Sequence, residues 1–195
     1  ECVSVRIERR IPSGGGLGSS SADAGSVLRA LAERWDVDPL DQRVVDVARR
    51  VGADVAFFLN PVPSLLRGAG DVLENTFPVL GGVPLALVMP ADCASSTREV
   101  YEEFDRVPTA PESPDALCDT LARGDVPGVA AHLYNNLAPA ALRLKPAMGE
   151  PAAWLAQQSG VIASQITGSG SCSFAICESA SGAERIARAA ENEHG

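Results

Sequence analysis

Residues 11–23 constrain this chain more than any other stretch. They read Ile11-Pro12-Ser13-Gly14-Gly15-Gly16-Leu17-Gly18-Ser19-Ser20-Ser21-Ala22-Asp23 and pass without a break into a pattern that sets Val27, Leu28, Leu31 and Trp35 on one helical face. The alternation of Val3, Val5 and Ile7 just before them predicts a strand. A strand, a glycine-serine loop and a helix start in succession form a ready anion site. Glycines let the backbone approach a phosphate and adopt positive φ, successive N–H groups point into one concavity, and the helix start adds partial positive charge. Ser19, Ser20 and Ser21 add hydroxyls that can cap the helix, touch phosphate or ligate a divalent cation. The competing reading is a flexible linker, which the amphipathic helix that follows at once disfavours. A Walker loop needs a lysine after its second glycine, and Lys145 is the only lysine in the chain. The dinucleotide fingerprint and the nucleophile elbow do not match either.

The rest of the chain reads as interleaved helices and strands. Helices are predicted over 39–50 (Leu40, Val44, Val47 and Val51), 96–105, 115–123, 125–133, from Pro146 to about 158, and 181–191. Strands are predicted near 64–67, 71–77, 84–89, 161–166 and 172–177. The length fits one large or two small domains, and the interleaving makes the class α+β or α/β.

Composition excludes several classes of function. The net charge is −9 and no basic cluster is large enough to track a nucleic-acid backbone. No apolar run approaches the roughly 20 residues that span a bilayer. Cys2, Cys93, Cys118, Cys172 and Cys177 are odd in number and scattered, which argues for reduced thiols and a cytoplasmic setting over a disulfide framework or a zinc site. His132 and His194 are the only histidines, and neither stands beside a supporting motif.

Asp54 interrupts the apolar run Gly52-Ala53-Asp54-Val55-Ala56-Phe57-Phe58-Leu59. A carboxylate in an apolar setting must be paired, protonated or functional; the alternative is a connector whose Asp54 bonds the local backbone. Thr167-Gly168-Ser169-Gly170-Ser171 lies between two predicted strands and reads, by itself, as a tight turn.

These motifs carry a resemblance. Pro12-Ser13-Gly14-Gly15-Gly16-Leu17-Gly18-Ser19-Ser20-Ser21-Ala22 resembles the phosphate-binding motif P-x-x-x-G-L-x-S-S-[AS]-[AS] of the GHMP kinases. Gly52-Ala53-Asp54-Val55-x-Phe57-Phe58 is similar to a G-A-D-V-P-F-F segment in the branch of that family acting on a cytidine diphosphate-linked methylerythritol, with Ala56 in place of the proline. Arg67-Gly68-Ala69-Gly70-Asp71 resembles its G-x-G-E segment. Ser96-Thr97-Arg98-Glu99-Val100-Tyr101 resembles S-T-x-x-V-[YF], and Asn135-Asn136-Leu137 resembles N-[DE]-L, with Asn136 in place of the acid. Ser19-Ser20 look more like mevalonate or homoserine kinases at that point.

The resemblance implies a two-lobed α+β fold. Its N-terminal lobe, over 1–80, would bind ATP, be like the second domain of ribosomal protein S5 and be incomplete here, and its C-terminal lobe, over 81–195, would be ferredoxin-like. It implies ATP and Mg²⁺ as cofactors and phosphorylation of the 2-hydroxyl of a small-molecule acceptor, in the non-mevalonate route to isoprenoid precursors. Residues Pro12 to Ala22 would hold ATP, Ser20 would ligate Mg²⁺, and Asp54 would be the base. Thr97, Tyr101, Gly168, Ser169 and Gly170 would meet the acceptor, with Tyr101 stacked on cytosine; Tyr101 packed in a core is the alternative. The family also carries an upstream lysine that supports the transferring phosphoryl group. None precedes Glu1 here, and Arg9, Arg10 and Arg67 have no catalytic counterpart in the family. The chain is therefore expected to lack its N-terminal segment and to be catalytically silent by itself. A kinase for mevalonate-type or amino-acid acceptors, and a fragment that only binds nucleotide, are the other readings.

Overall fold

The computed structural model describes residues 2–8, 11, 14–90 and 95–194. Pro12, Ser13, Arg9, Arg10, Cys93 and the side chain of His194 lie outside the described residues. The chain divides into two compact units. One holds Glu1–Pro12 and Gly18–Val79, the other Ser13–Leu17 and Leu80–Gly195.

In the first unit, α1 (Ser19–Arg34) and α2 (Gln42–Val51) pack around Ala48, Val55 and Leu59, with Leu28, Val44 and Val45 half-buried against them. Asp41 starts α2 by accepting the Arg43 N–H at 2.9 Å, so Leu40 falls before the helix and is exposed. Trp35 is exposed too, because α1 ends at Arg34, one residue before it. Two short 3₁₀ turns, Ala53–Val55 and Phe57–Leu59, lead to an antiparallel hairpin of β1 (Ser64–Arg67) and β2 (Val72–Thr76). Arg49 of α2 donates to the Asp71 carbonyl at 2.8 and 3.2 Å and ties the hairpin turn to the helix. The strand expected at residues 2–8 does not form. Val3, Val5 and Ile7 are exposed, and no described strand pairs with them, so the alternating pattern has no ladder to join.

The second unit is built on a three-stranded antiparallel sheet in the order β3 (Leu85–Val88), β5 (Ser173–Cys177), β4 (Val161–Ile166). Alternation puts Ala86, Val88, Ala175 and Cys177 on one face. They close a core with Leu155 of α7 (Gly149–Ala156) and Ala183, Ile186 and Ala190 of α8 (Ala180–His194). Leu85 and Leu87, one register step away, are half exposed. A second cluster joins Val100 of α3 (Thr97–Arg106) to Ala140 and Ala141 of α6 (Ala138–Leu144) and to Met148. Ser96 caps α3 by accepting the Glu99 N–H. Between these sit α4 (Asp115–Arg123) and α5 (Val126–Ala131).

The strand pairs among the described residues are antiparallel, which makes the class α+β. The sequence pattern did not reveal α6, which is short and carries Pro139 in its first turn. The helix expected from Pro146 is a 3₁₀ turn, Pro146–Met148, followed by α7. Cys2, Cys118, Cys172 and Cys177 are in no disulfide, and burial pushes the Cys172 and Cys177 thiols up, so both stay protonated near neutral pH. No described helix is long and apolar enough to cross a membrane.

Candidate functional site

In the second unit the two glycine loops are locked together. The Thr167 hydroxyl donates to the Gly15 carbonyl at 2.6 Å, the Cys172 N–H donates to the same carbonyl at 3.2 Å, and the Ser171 N–H donates to Gly14 O at 3.1 Å. Gly16 has φ +69°, and a Cβ there would lie 2.4 Å from the Thr167 carbonyl. Only glycine permits this approach of backbone to backbone. Gly15 is buried and Gly14 and Gly16 are exposed, so the loop has a supported inner side and an open outer side.

The loop at 167–171 has its own supports. Ser169 is buried; its hydroxyl pairs with that of Thr97 at 3.0 Å, and its carbonyl accepts from the Ser95 hydroxyl at 2.9 Å. Gly170 is buried against Met148, and Gly168 is exposed. Asn135 donates to the carbonyls of Ile166 and Gly168 at 2.9 and 2.8 Å. Tyr101 lies one turn beyond Thr97 on α3 and is 52% exposed, whereas Val100 and Phe104 take the core positions. The core-packing reading of Tyr101 therefore fails. Across the same helix Glu103 is buried, and Arg143 of α6 and then Arg106 hold its carboxyl below the usual carboxylate range.

In the first unit, Gly18 precedes α1 with φ 64°, and no side chain caps the helix. Its first turn carries no acidic residue, so the first N–H groups and the exposed Ser20 face no competing anion there. Leu17, Gly18, Ser19, Ser21 and Ala22 are half-buried. Asp54 sits on the 3₁₀ turn between buried Val55 and exposed Ala53, and it is itself exposed. The apolar setting inferred for it is thus corrected. The turn sends Val55 and Leu59 into the core and Asp54 outward, and no described residue hydrogen-bonds its carboxylate. The turn is held close to α1, because a Cβ on Gly25 would lie 2.4 Å from Phe58 Cβ and 3.2 Å from the Val55 carbonyl.

An uncapped helix start without acids, entered through a glycine loop, suits a polyphosphate. Mg²⁺ keeps most of its waters and binds through phosphates plus one or two protein oxygens, so a single hydroxyl such as Ser20 is an adequate donor. Among the described residues no group of three or more metal-ligating side chains occurs. A phosphate-borne Mg²⁺ does not need one. Sequence reasoning placed Thr167 in the second glycine loop but not in its bond to Gly15, and it gave Asn135 no role. Their contacts join segments far apart in the chain, and no local pattern announces them.

Two models of one family of small-molecule kinases match this chain. Residues 1–60 match the family model for the GHMP kinases N terminal domain, and residues 117–195 match that for the GHMP kinases C terminal. The chain belongs to the GHMP kinase family. Within it, the chain is 36% identical over 188 residues to the 4-diphosphocytidyl-2-C-methyl-D-erythritol kinase of Nocardioides sp. (strain ATCC BAA-499 / JS614), covering 94% of this chain and 62% of that one. It is 35% identical to the kinase of the same name from Thermobifida fusca (strain YX), covering 96% and 61%. The chain thus spans about three fifths of the length of these curated relatives. A crystal structure of 4-(cytidine 5'-diphospho)-2C-methyl-D-erythritol kinase superposes with a TM-score of 0.73 at 32% identity, covering 95% of this chain and 65% of that one. Homoserine kinase from Cytophaga hutchinsonii shares the fold, with a TM-score of 0.71 at 21% identity over 94% of this chain and 63% of its own.

Proposed function

We propose that this chain serves the ATP-dependent phosphorylation of the 2-hydroxyl of 4-diphosphocytidyl-2-C-methyl-D-erythritol, a step in non-mevalonate isoprenoid precursor biosynthesis. The observation that carries the reading is the lock between the two glycine loops through Thr167 and Gly15. It prepares backbone groups in advance for a reaction that is mostly positioning and charge stabilisation. The relatives' names supply the acceptor.

In this reading residues 1–80 form the nucleotide-binding domain and 81–195 the C-terminal domain. The backbone of Gly14 to Gly18 and the first turn of α1 cradle the ATP phosphates, with Pro12, Ser13 and Ala22 completing the motif. Ser20 offers its hydroxyl to Mg²⁺, which when bound neutralises phosphate charge. Asp54 accepts the proton of the acceptor hydroxyl; its exposure leaves the carboxylate free to reach a substrate oxygen. Gly168 and Gly170 shape the loop that faces the acceptor, and buried Ser169 holds that loop through Thr97. Tyr101 offers an exposed ring for cytosine. The setting is cytoplasmic, with no nucleic acid or membrane partner.

The silence expected of these 195 residues by themselves belongs to the same proposal. It is supported by the single lysine, Lys145, which stands at the end of α6. The test is calorimetric titration of the chain with MgATP and with the cytidyl acceptor, beside radiolabelled phosphoryl transfer by the chain and by the Thermobifida fusca enzyme. We expect binding of both ligands and transfer far below that of the relative. Binding of homoserine or mevalonate in preference to the cytidyl compound overturns the acceptor assignment. Transfer equal to the relative's overturns the silence.

A further inference from the structure

We propose that Asn135 is a positioning residue for phosphoryl transfer: its side-chain amide fixes the loop at 167–171 and, through Thr167, the glycine loop at 14–16. Its consequence for ligand binding rests on the function proposed above. Both ends of the Asn135 side chain are committed. Nδ2 donates to Ile166 O at 2.9 Å and to Gly168 O at 2.8 Å, and Oδ1 accepts the Leu137 N–H at 3.0 Å. The partners settle the orientation of the amide, because two carbonyls require the NH₂ end and an N–H requires the oxygen.

The two carbonyls belong to the residues on either side of Thr167, the residue whose hydroxyl reaches Gly15. Asn135 therefore brackets the joint between the glycine loops. The loop's own turn bond, Gly170 N–H to Thr167 O at 2.7 Å, starts from the same residue. Few side chains could replace it. Aspartate keeps the acceptor for Leu137 but sets a carboxylate against two carbonyl oxygens, and alanine keeps neither function. The adjacent Asn136 turns elsewhere, accepting from the Tyr134 hydroxyl at 2.8 Å and donating to Thr109 O at 3.4 Å. It serves as an internal comparison.

The test uses the whole chain and amide hydrogen exchange resolved by residue, with Asn135→Asp, Asn135→Ala and Asn136→Ala, beside the dissociation constant for MgATP. The reporters are the N–H groups of Gly170, Ser171 and Cys172, which donate to Thr167, Gly14 and Gly15. We expect Asn135→Asp to speed their exchange by roughly tenfold or more while the amides of β5 keep their protection, and to weaken MgATP binding by roughly tenfold. Asn136→Ala should change neither. Exchange at 170–172 within twofold of wild type overturns the proposal, as does an equal rise in Asn136→Ala. Faster exchange with unchanged MgATP affinity also overturns it, because the loop would be freed without consequence for the ligand. If the aspartate charge unfolds the unit, seen as loss of β5 protection, the neutral Asn135→Ala decides by the same criteria. Exchange is read without ligand. A wild-type chain that does not bind MgATP would therefore count against the proposed function, while the exchange data would still decide whether Asn135 anchors the loops.

Discussion

Gly25 faces the turn that carries Asp54, and a methyl group there has no room. Alanine in a helix interior gains about 1 kcal/mol over glycine, but a Cβ 2.4 Å from Phe58 Cβ and 3.1 Å from its backbone must push the turn away. Overpacking of this kind costs about 1–3 kcal/mol, and the clash should win. Gly25→Ala is expected to lower the melting temperature by displacing the turn that carries Asp54; an unchanged melt would show that the turn yields freely. Asp54 itself is exposed, so Asp54→Asn should leave the fold and MgATP affinity within about threefold of wild type. In a chain extended upstream by the family's lysine-bearing segment, radiolabelled transfer should fall by about 10² or more, the order expected of a positioned base. Transfer within threefold of wild type would sink that role. The aspartate was legible only through its motif. The burial argument for it failed, because a 3₁₀ turn can bury Val55 and expose its neighbour.

The α3 helix shows how an element divides its labour. Val100 and Phe104 pack toward α6, Thr97 holds Ser169, and Tyr101 is left to solvent. Stacking on a base is worth about 1–3 kcal/mol. Tyr101→Ala should therefore weaken binding of cytidine diphosphate by roughly 5- to 150-fold and spare MgATP and the melting temperature. Equal loss of both ligands, or a lower melt, would return Tyr101 to a structural role. At the start of α2 the charges are readable from pH. Side-chain and backbone hydrogen bonds from Arg43 lower the Asp41 carboxyl to about 2. A carboxylate depressed in the folded state adds stability above its unfolded pKa, near 4, and loses it as the pH falls toward 2. Asparagine still caps a helix but carries no charge. Asp41→Asn should thus flatten the dependence of melting temperature on pH between about 4 and 2, with little effect at neutral pH. An unaltered acid profile would show that the pair contributes nothing at this exposed site.

For the whole molecule, the three-stranded sheet with α7 and α8 holds the core of the second unit, and Leu155 is fully buried at its centre. Leu155→Ala should cost about 2–5 kcal/mol, which lowers the melting temperature by roughly 4–20 °C for a chain of this size. The loss should extend to MgATP binding, since the loop at 167–171 joins β4 to β5 of that sheet. A variant that melts as wild type would show the cavity to have collapsed. The net charge of −9 does not oppose a phosphate site, because the anion meets main-chain N–H groups at the loops and helix start.

The sequence by itself determined the helix-and-strand order over most of the chain. Apolar period and turn chemistry act within a few residues, and Ser64–Arg67, Asp115–Arg123 and Val161–Ile166 lie where the pattern put them. It determined the glycine loops as well, through residue types that few other backbones need. Tertiary structure decided the rest. The alternating run at 2–8 stayed without a ladder, since a strand is made by its partner. The short α6, with Pro139 in its first turn, is held by packing against α3. The hydrogen bonds of Thr167 to Gly15 and of Asn135 to Gly168 cross 152 and 33 residues. Contacts of that span leave no local signature, because the residue types at each end are ordinary until the fold brings them within 3 Å.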